Sequence, residues 1–205
     1  GETMTLNCDY RLVIDNLMDL THETFVHATS IGHSAIAVTP AKTTHDERSV
    51  TVERYMVDID APPFWRTQLG RPGNVDRWQI IRFEPPCTIV LDVGVALSGT
   101  GALQGDRSQG VNGRVLNTIT PASAKTCMYF WSLVRNYRLR DQTLTTQLRQ
   151  ANARIFEEDR AVLEAQQQAI DARPGHALRN LNIDAGSLWA RRLINAMLAR
   201  EHYHE

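Results

Sequence analysis

Segments rich in β-branched and aromatic residues follow one another along the middle of the chain without a helical pattern between them. They are SVTVERYMVDI, WQIIRFEPPCTIVLDVGVAL, GRVLNTITP and KTCMYFWSLVRNY, and connections rich in Gly, Pro and Ser separate them. Strands in such a succession pair as an antiparallel sheet, because parallel neighbours need a long crossover. A further strand is predicted at MTLNCDYRLVI, where apolar residues recur at roughly every second position.

The last third of the chain has a helical pattern instead. LTTQLRQANARIFEEDRAVLEAQQQAI contains helix-forming residues, no Gly or Pro, and apolar residues at three- and four-residue spacing, and ARPGH ends it. SLWARRLINAMLAREH predicts a last helix with an apolar stripe through Leu188, Leu193, Ile194 and Leu198. The 205 residues therefore predict one α+β domain in which helices cover one face of a curved antiparallel sheet.

Composition excludes several classes of protein. The formal net charge of −1 gives no electrostatic reason to expect nucleic acid or an anionic membrane as a partner. No apolar run of about 18 residues predicts a membrane span, and the N-terminus lacks the charged-then-apolar order of a signal peptide. Cys8, Cys87 and Cys127 lie far apart without metal-ligand spacing. We therefore expect a soluble protein in a reducing cytoplasm.

The segment DNLMDLTHETFVH raises the first functional question. On an ideal helix Asn16, Asp19 and His22 fall along one stripe, whereas His27 is rotated from His22 by about 140°. Both imidazoles can reach one metal ion only if the helix ends or is distorted between them. On spacing alone, a solvated helix face is the stronger interpretation and a metal site is the alternative.

A third candidate ligand lies far along the chain, in RIFEEDRAVLEAQ. Helical placement puts Asp159 in the middle of an apolar face that includes Phe156 and Leu163. Because an ionised, unpaired carboxylate is unstable there, Asp159 is either neutral, paired with a cation such as Arg82 or Arg114, or bound to a metal. Two histidines and one distant carboxylate are the ligand set of the facial triad that holds Fe(II).

Several short motifs extend over essentially the whole chain. NCDYRLVIDNLMDLTHETFVH contains D-N-[LM]-x-D-x-x-H-x-x-x-x-H, and further pieces are TSIG, APPFW, GDRSQG, YFW with RNYRL, RIFEEDRAVLEAQQ and LNIDAG. The first motif resembles the start of the catalytic domain of Rieske-type non-haem iron oxygenases. The others are similar to the branch that contains the oxygenase subunits of vanillate O-demethylase. This resemblance implies the helix-grip fold of START and Bet v 1-like domains.

The resemblance also implies a role for each polar residue singled out above. It makes His22, His27 and Asp159 the ligands of a mononuclear Fe(II), and it places Asn16 near the iron without making it a regular ligand. It makes Asp19 the link between an iron-bound histidine and a Rieske-cluster histidine from the neighbouring subunit of a homotrimer. A carboxylate in that position both orients a metal-bound imidazole and connects two redox centres.

Oxygenases of this family also contain an N-terminal domain whose C-x-H and C-x-x-H pairs bind a [2Fe–2S] Rieske cluster, and neither pair occurs here. We therefore expect residues 1–205 to be the mononuclear iron catalytic domain alone, with sequence missing upstream of Gly1. Electrons would come from NADH through a separate reductase and the missing cluster. By itself the chain would show little turnover.

The implied reaction is O2-dependent O-demethylation of an aromatic, vanillate-like methoxybenzoate to a phenol and formaldehyde. Alternation along GRVLNTITP puts Val115, Asn117 and Ile119 on one strand face. Asn117 stands where a related oxygenase uses a histidine toward its substrate carboxylate, so we predict that it contacts substrate, with Phe130 or Trp131 as candidate aromatic partners or core residues. Two alternatives stay open: a related oxygenase acting on another aryl ether or aryl methyl group, and a non-enzymatic module for hydrophobic ligands.

Overall fold

A seven-stranded antiparallel sheet forms the centre of the fold. The computed structural model describes residues 1–175 and 178–201. The sheet order is β1-β7-β6-β5-β4-β3-β2, and every neighbouring pair is antiparallel, which confirms the arrangement predicted from the succession of strands. In chain order the strands are β1 (Glu2–Leu6), β2 (Lys42–His45), β3 (Val50–Ile59), β4 (Val75–Glu84), β5 (Thr88–Leu97), β6 (Gly110–Ser123) and β7 (Thr126–Arg135).

Helices pack on this sheet and on one another, as predicted for an α+β domain. The first helix contacts the two long C-terminal helices as well as β4 and β6, and the last helix also contacts β2 and β3. None of the described helices is long and apolar enough to cross a membrane. The helices are α1 (Tyr10–Met18), α2 (Glu23–Val26), α3 (Ser34–Val38), α4 (Pro63–Leu69), α5 (Gln142–Asp171) and α6 (Ala185–Glu201).

The strand predicted at MTLNCDYRLVI is correct only for its first part. β1 ends at Leu6, and YRLVI begins α1. Asp9 caps this helix, because its carboxylate accepts a hydrogen bond from the Arg11 N–H at 2.9 Å. The contiguous apolar residues Leu12, Val13 and Ile14 are all buried. A short, continuous apolar run does not distinguish a buried helix from a strand, and the cap decides between them.

The two C-terminal helices agree closely with the predicted segments. Asp141 caps α5 by accepting a hydrogen bond from the Leu144 N–H at 2.8 Å. On α6 Leu193 and Ile194 are buried, but Leu198 is 43% exposed, so the predicted apolar stripe is shorter than expected. The histidines that end the predicted segments ARPGH and SLWARRLINAMLAREH lie outside the described residues.

Side chains alternate along β6 as the sequence predicts. Val115, Asn117 and Ile119 are buried on the helix-covered face, whereas Arg114 and Leu116 are exposed. On β7 the two aromatic candidates separate in the same way. Trp131 is buried with its ring 5.2 Å from that of Phe156, and Phe130 points to the opposite, partly exposed face. Trp131 is therefore a core residue, which is the alternative that the sequence left open for it.

Candidate metal centre

The segment DNLMDLTHETFVH forms the end of α1 and the whole of α2, with a break at residues 19–22. α1 ends at Met18, just before Asp19. The Asp19 carboxylate accepts a hydrogen bond from the Thr21 N–H at 2.8 Å. This side-chain turn takes the place of the backbone hydrogen bonds that would continue the helix. His22 then occupies the N-cap position of α2 without a side-chain capping hydrogen bond, and His27 occupies the C-cap position with a non-helical backbone. The helix ends at the second histidine, which meets the condition for both imidazoles to face one point.

His22, His27 and Asp159 come together, although Asp159 lies 132 positions after His27 in the sequence. Asp159 Oδ1 lies 3.5 Å from His22 Nε2 and 3.2 Å from His27 Nε2, and the two rings meet edge to face with centroids 5.1 Å apart. Ligand atoms about 2.1 Å from one ion and at right angles to each other lie about 3 Å apart. The three side chains therefore fit a single divalent cation with coordination positions left open.

The arginines that offered an alternative partner for Asp159 are elsewhere. Arg82 pairs with Glu84 at 2.8 Å, and Arg114 lies 3.3 Å from Asp92 on the other face of the sheet. Asp159 instead accepts a hydrogen bond from Asn16 Nδ2 at 3.0 Å. Asn16 thus lies beside the candidate ligands.

The remaining ring nitrogens of the two histidines are also engaged. His22 Nδ1 hydrogen-bonds to the backbone carbonyl of Asp19, and His27 Nδ1 lies 2.7 Å from Glu158 Oε2. These contacts hold both rings with Nε2 toward Asp159, as outer partners of metal-bound imidazoles do. Sequence reasoning missed Glu158. The available signal was its position next to Asp159 at the margin of the apolar face.

Carboxylate groups surround the His27 imidazole. Burial lowers the pKa of the His27 imidazole, but hydrogen bonds and charge from Asp159, with a further hydrogen bond to Glu158, outweigh that effect and raise the pKa overall. The carboxylates that stabilise a proton on this imidazole also attract a metal cation, which binds the neutral ring in place of that proton.

Glu23 contradicts the interpretation of this segment as a solvated face. Its side chain is buried and accepts hydrogen bonds from Arg77 Nη2 at 2.9 Å and Gln79 Nε2 at 2.7 Å. At the other end of the segment, Asp15 pairs with Arg191 of α6, with Oδ1 2.9 Å from Nε. Sequence reasoning missed Glu23 and Arg77, because helical spacing does not show which strand will lie opposite a short helix.

The backbone and the side chain of Asp19 have different surroundings. Its backbone carbonyl accepts the hydrogen bond from His22, while its half-buried carboxylate lines a polar surface groove beside α6 and the segment before it. Asp15, Asn16, Arg179 and Arg191 line the same groove. Asp19 therefore borders both His22 and the surface groove.

A largely apolar cavity adjoins the three candidate ligands. Its empty space, counted together with the solvent at its open mouth, is about 860 Å³. Its polar wall includes the candidate ligands, Asn117 and Arg77, and its apolar wall comes from the sheet and the surrounding helices, through Leu17, Ile31, Phe64, Trp65, Leu91, Val93, Val115, Leu133 and Phe156. Neither Phe130 nor Trp131 is among the lining residues.

Asn117 lies in this cavity wall, but its amide is already occupied. Nδ2 donates to the carbonyls of Ile89 and Val115, each at 3.3 Å, and Oδ1 accepts from the Tyr129 hydroxyl at 2.6 Å. Burial raises the pKa of Tyr129 well above its usual value, which keeps that hydroxyl protonated as a donor. Only acceptor capacity is left on Asn117.

Comparison with models of protein families assigns the chain to a family. The model of the vanillate O-demethylase oxygenase C-terminal domain matches residues 6–200. The chain belongs to this family. The resemblance carried by the sequence motifs is thereby confirmed, and with it the class of Rieske non-haem iron oxygenases.

Curated relatives agree with this vanillate O-demethylase-type assignment. The chain is 45% identical to the vanillate O-demethylase oxygenase subunit of Pseudomonas sp. (strain HR199 / DSM 7063), over 98% of this chain and 58% of that protein. It is 32% identical to the toluene-4-sulfonate monooxygenase system iron-sulfur subunit TsaM1 of Comamonas testosteroni, over 95% of this chain and 57% of the relative. The chain thus spans little more than half the length of these relatives.

Solved structures share the fold of this vanillate O-demethylase-type domain. Dicamba monooxygenase bound to 3,6 dichlorosalicylic acid superposes with a TM-score of 0.89 at 24% identity, covering 98% of this chain and 59% of the other. The same protein with non-heme iron and dicamba gives a TM-score of 0.77 at 23% identity, with 100% and 58% covered. At such identities the likeness shows the fold, and it confirms the predicted helix-grip class.

Proposed function

We propose that this chain is the mononuclear iron catalytic domain of an oxygenase that O-demethylates a vanillate-like methoxybenzoate. The observation that carries the proposal is the convergence of His22, His27 and Asp159 at the wall of a largely apolar cavity. Family membership and the names of the relatives support the reaction class.

The three candidate ligands fit Fe(II) better than a structural zinc ion. They supply two imidazoles and one carboxylate, and the described residues bring no cysteine to the cluster. An Fe(II) ion bound there would supply O2 activation at the open positions. The chain's own residues supply placement: Glu158 and the Asp19 carbonyl orient the imidazoles, Asn16 holds Asp159, and the apolar wall excludes water from the ring and the methoxy group.

In the proposed reaction the methoxy carbon is hydroxylated, and the resulting hemiacetal breaks its C–O bond to leave a phenol and formaldehyde. One oxygen atom of O2 enters the product and the other leaves as water, which requires two electrons and two protons. We propose that these electrons come from NADH through a separate reductase and a [2Fe–2S] Rieske cluster in an N-terminal domain outside residues 1–205. The iron-sulfur subunits among the relatives support this arrangement.

We propose that Asp19 carries the electron transfer. Its carbonyl touches His22 and its carboxylate opens to a surface groove, so a cluster histidine from the neighbouring subunit of a homotrimer could reach it there. The assembly would function in the bacterial cytoplasm, which the dispersed cysteines and the bacterial relatives support.

Hydrogen peroxide can test the reaction without the electron-transfer partners, because it supplies both the oxygen atom and the two electrons. The chain is loaded with Fe(II) and mixed with vanillate and peroxide, and formaldehyde and 3,4-dihydroxybenzoate are quantified. We expect equal amounts of both products from the unsubstituted chain and none above the free-iron background from His22→Ala. Absence of both products from the iron-loaded chain, across a series of methoxybenzoates, would contradict the proposal.

A second candidate substrate class comes from the relatives. The toluene-4-sulfonate monooxygenase system iron-sulfur subunit TsaM1 and the chloroacetanilide N-alkylformylase oxygenase component from Rhizorhabdus wittichii (strain DC-6 / KACC 16600) are each 32% identical to this chain. The same peroxide assay with toluene-4-sulfonate and other aryl methyl compounds distinguishes the two classes, because ring-methyl hydroxylation gives a benzyl alcohol and no formaldehyde.

A further inference from the structure

A buried arginine with unused hydrogen-bond donors lies in the wall of the candidate substrate cavity. Arg77 on β4 is 0% exposed, and its Nη2 donates to Glu23 at 2.9 Å. Its Nε and Nη1 have no hydrogen-bond partner among the described residues. These two nitrogens carry three N–H groups, and buried donors left unpaired cost free energy.

The charge around Arg77 is also unbalanced. Arg54 on the neighbouring strand β3 is a second buried guanidinium, and Glu23 is the carboxylate that acts on both arginines. Gln79 hydrogen-bonds to the second oxygen of Glu23, and among the described residues Arg54 donates to the neutral oxygens of Thr39 and Thr21. The half-buried carboxylate of Asp19 also acts on Arg54, whereas Glu23 is the carboxylate that acts on Arg77. Arg77 therefore shares its anion with Arg54, so an additional anion beside Arg77 would be stabilised.

Other polar groups in the cavity wall do not fit an anion as well. Both amide hydrogens of Asn117 are used by strand carbonyls. Trp65 Nε1 has no partner among the described residues and is a donor, but it is neutral. Hydrogen bonds from a charged donor to a carboxylate are about twice as strong as those between neutral groups. The combination of a charged donor and a neutral donor in one apolar cavity fits an aromatic acid.

We propose that Arg77 binds the carboxylate of the aromatic substrate, so that the cavity selects benzoates over their neutral counterparts. The inference rests on the proposed function, because it assigns one end of the substrate while the methoxy group lies at the metal centre. Asn117, which the sequence placed toward the substrate carboxylate, then acts by accepting a hydrogen bond or by shaping the wall.

The test compares an acid with its alcohol. Binding of vanillate and of 4-hydroxy-3-methoxybenzyl alcohol to the chain is measured by calorimetry, with and without Fe(II) and in the absence of O2. Arg77→Lys keeps a cation opposite Glu23 but removes Nη1 and the planar donor set. The double variant Glu23→Gln with Arg77→Met removes one cation and one anion together, so the net charge of the cavity wall is unchanged. Arg114→Met, which alters an exposed guanidinium on the opposite sheet face, is the matched control.

We expect Arg77→Lys and the double variant to weaken vanillate binding by about tenfold or more, with the alcohol changed by less than about twofold and the control unchanged. Equal effects on acid and alcohol in Arg77→Lys, or an unsubstituted chain that binds both equally, would overturn the carboxylate assignment. Failure of the proposed function is a separate result. A chain that takes up no iron but still binds vanillate through Arg77 contradicts the oxygenase and supports the carboxylate subsite.

Discussion

Glu158 Oε2 lies 2.7 Å from His27 Nδ1, on the side of the imidazole opposite the nitrogen that faces Asp159. Glu158 and Asp159 are consecutive on α5, so one helical turn supplies both a candidate ligand and the group that orients another ligand. Such an arrangement fixes the ring and raises the basicity of its metal-facing nitrogen.

Replacing Glu158 therefore weakens metal binding without removing a ligand. We expect Glu158→Ala to lower Fe(II) affinity by about tenfold to a hundredfold, and Glu158→Gln to lower it less because the amide can still accept a hydrogen bond. Affinity is measured by competition with a chelator under anaerobic conditions. Glu157→Ala, which changes the adjacent exposed carboxylate, is the control. The same affinity in both alanine variants would show that Glu158 does not orient His27.

Gly32 of the TSIG motif allows the loop to approach α2 closely. A Cβ there would lie 2.5 Å from the Glu23 carbonyl oxygen and 2.9 Å from that of His27. Because both are backbone atoms, neither can move away unless the backbone of α2 moves with it. We expect Gly32→Ala to shift α2, with a loss of about 1 to 3 kcal/mol of unfolding free energy and reduced iron affinity. Urea unfolding and chelator competition measure the two effects. Thr29→Ala, in the same loop, is the control and should leave unfolding free energy and iron affinity unchanged. If Gly32→Ala also leaves both quantities unchanged, the close approach of Gly32 to α2 does not position the helix.

Asp92 organises the opposite face of the sheet. It accepts hydrogen bonds from Asn112 Nδ2 at 2.7 Å, Trp78 Nε1 at 3.0 Å and Arg107 Nη1 at 2.8 Å. Burial raises the pKa of Asp92, but these hydrogen bonds outweigh that effect and lower the pKa below 3.8. A lowered carboxyl pKa gives stability that is present above the unfolded-state value and is lost as pH falls through the folded-state value.

Asp92→Asn should therefore cost about 1 to 3 kcal/mol of unfolding free energy at pH 7, and the difference should shrink as the pH falls below 3.8. Urea unfolding across that pH range measures it. Glu84→Gln is the control, since the exposed pair of Glu84 with Arg82 contributes at most about 1 kcal/mol. A cost for Asp92→Asn that does not change with pH would exclude the electrostatic explanation.

The sequence predicts the sheet and the long helices because their signals are local and repeated. β3 to β7 follow from β-branched and aromatic composition, and α5 follows from a long segment without Gly or Pro. The first helix was mistaken for strand at YRLVI, since a short apolar run fits both and only the Asp9 cap separates them. β2, α3 and α4 are too short to give a periodic signal.

The residues of the candidate site also fall into two groups, those that the sequence identifies and those that it does not. Asp159 could be found from the sequence because a carboxylate on an apolar helix face needs a partner. Glu158, Glu23 and Arg77 could not be found, since their roles depend on which surfaces α2, α5 and β4 present to one another across long sequence separations. Periodicity places a side chain on its own element and does not identify what lies opposite.

The iron content of the purified chain tests the central claim most directly. After anaerobic reconstitution and removal of loosely bound metal, the account predicts about one Fe(II) per chain. It also predicts loss of that iron in His22→Ala, His27→Ala and Asp159→Ala, with retention in the exposed controls His45→Ala and Asp171→Ala. A chain that holds no iron, or three ligand variants that keep as much as the controls, would contradict a metal centre and favour a cavity that only binds hydrophobic ligands.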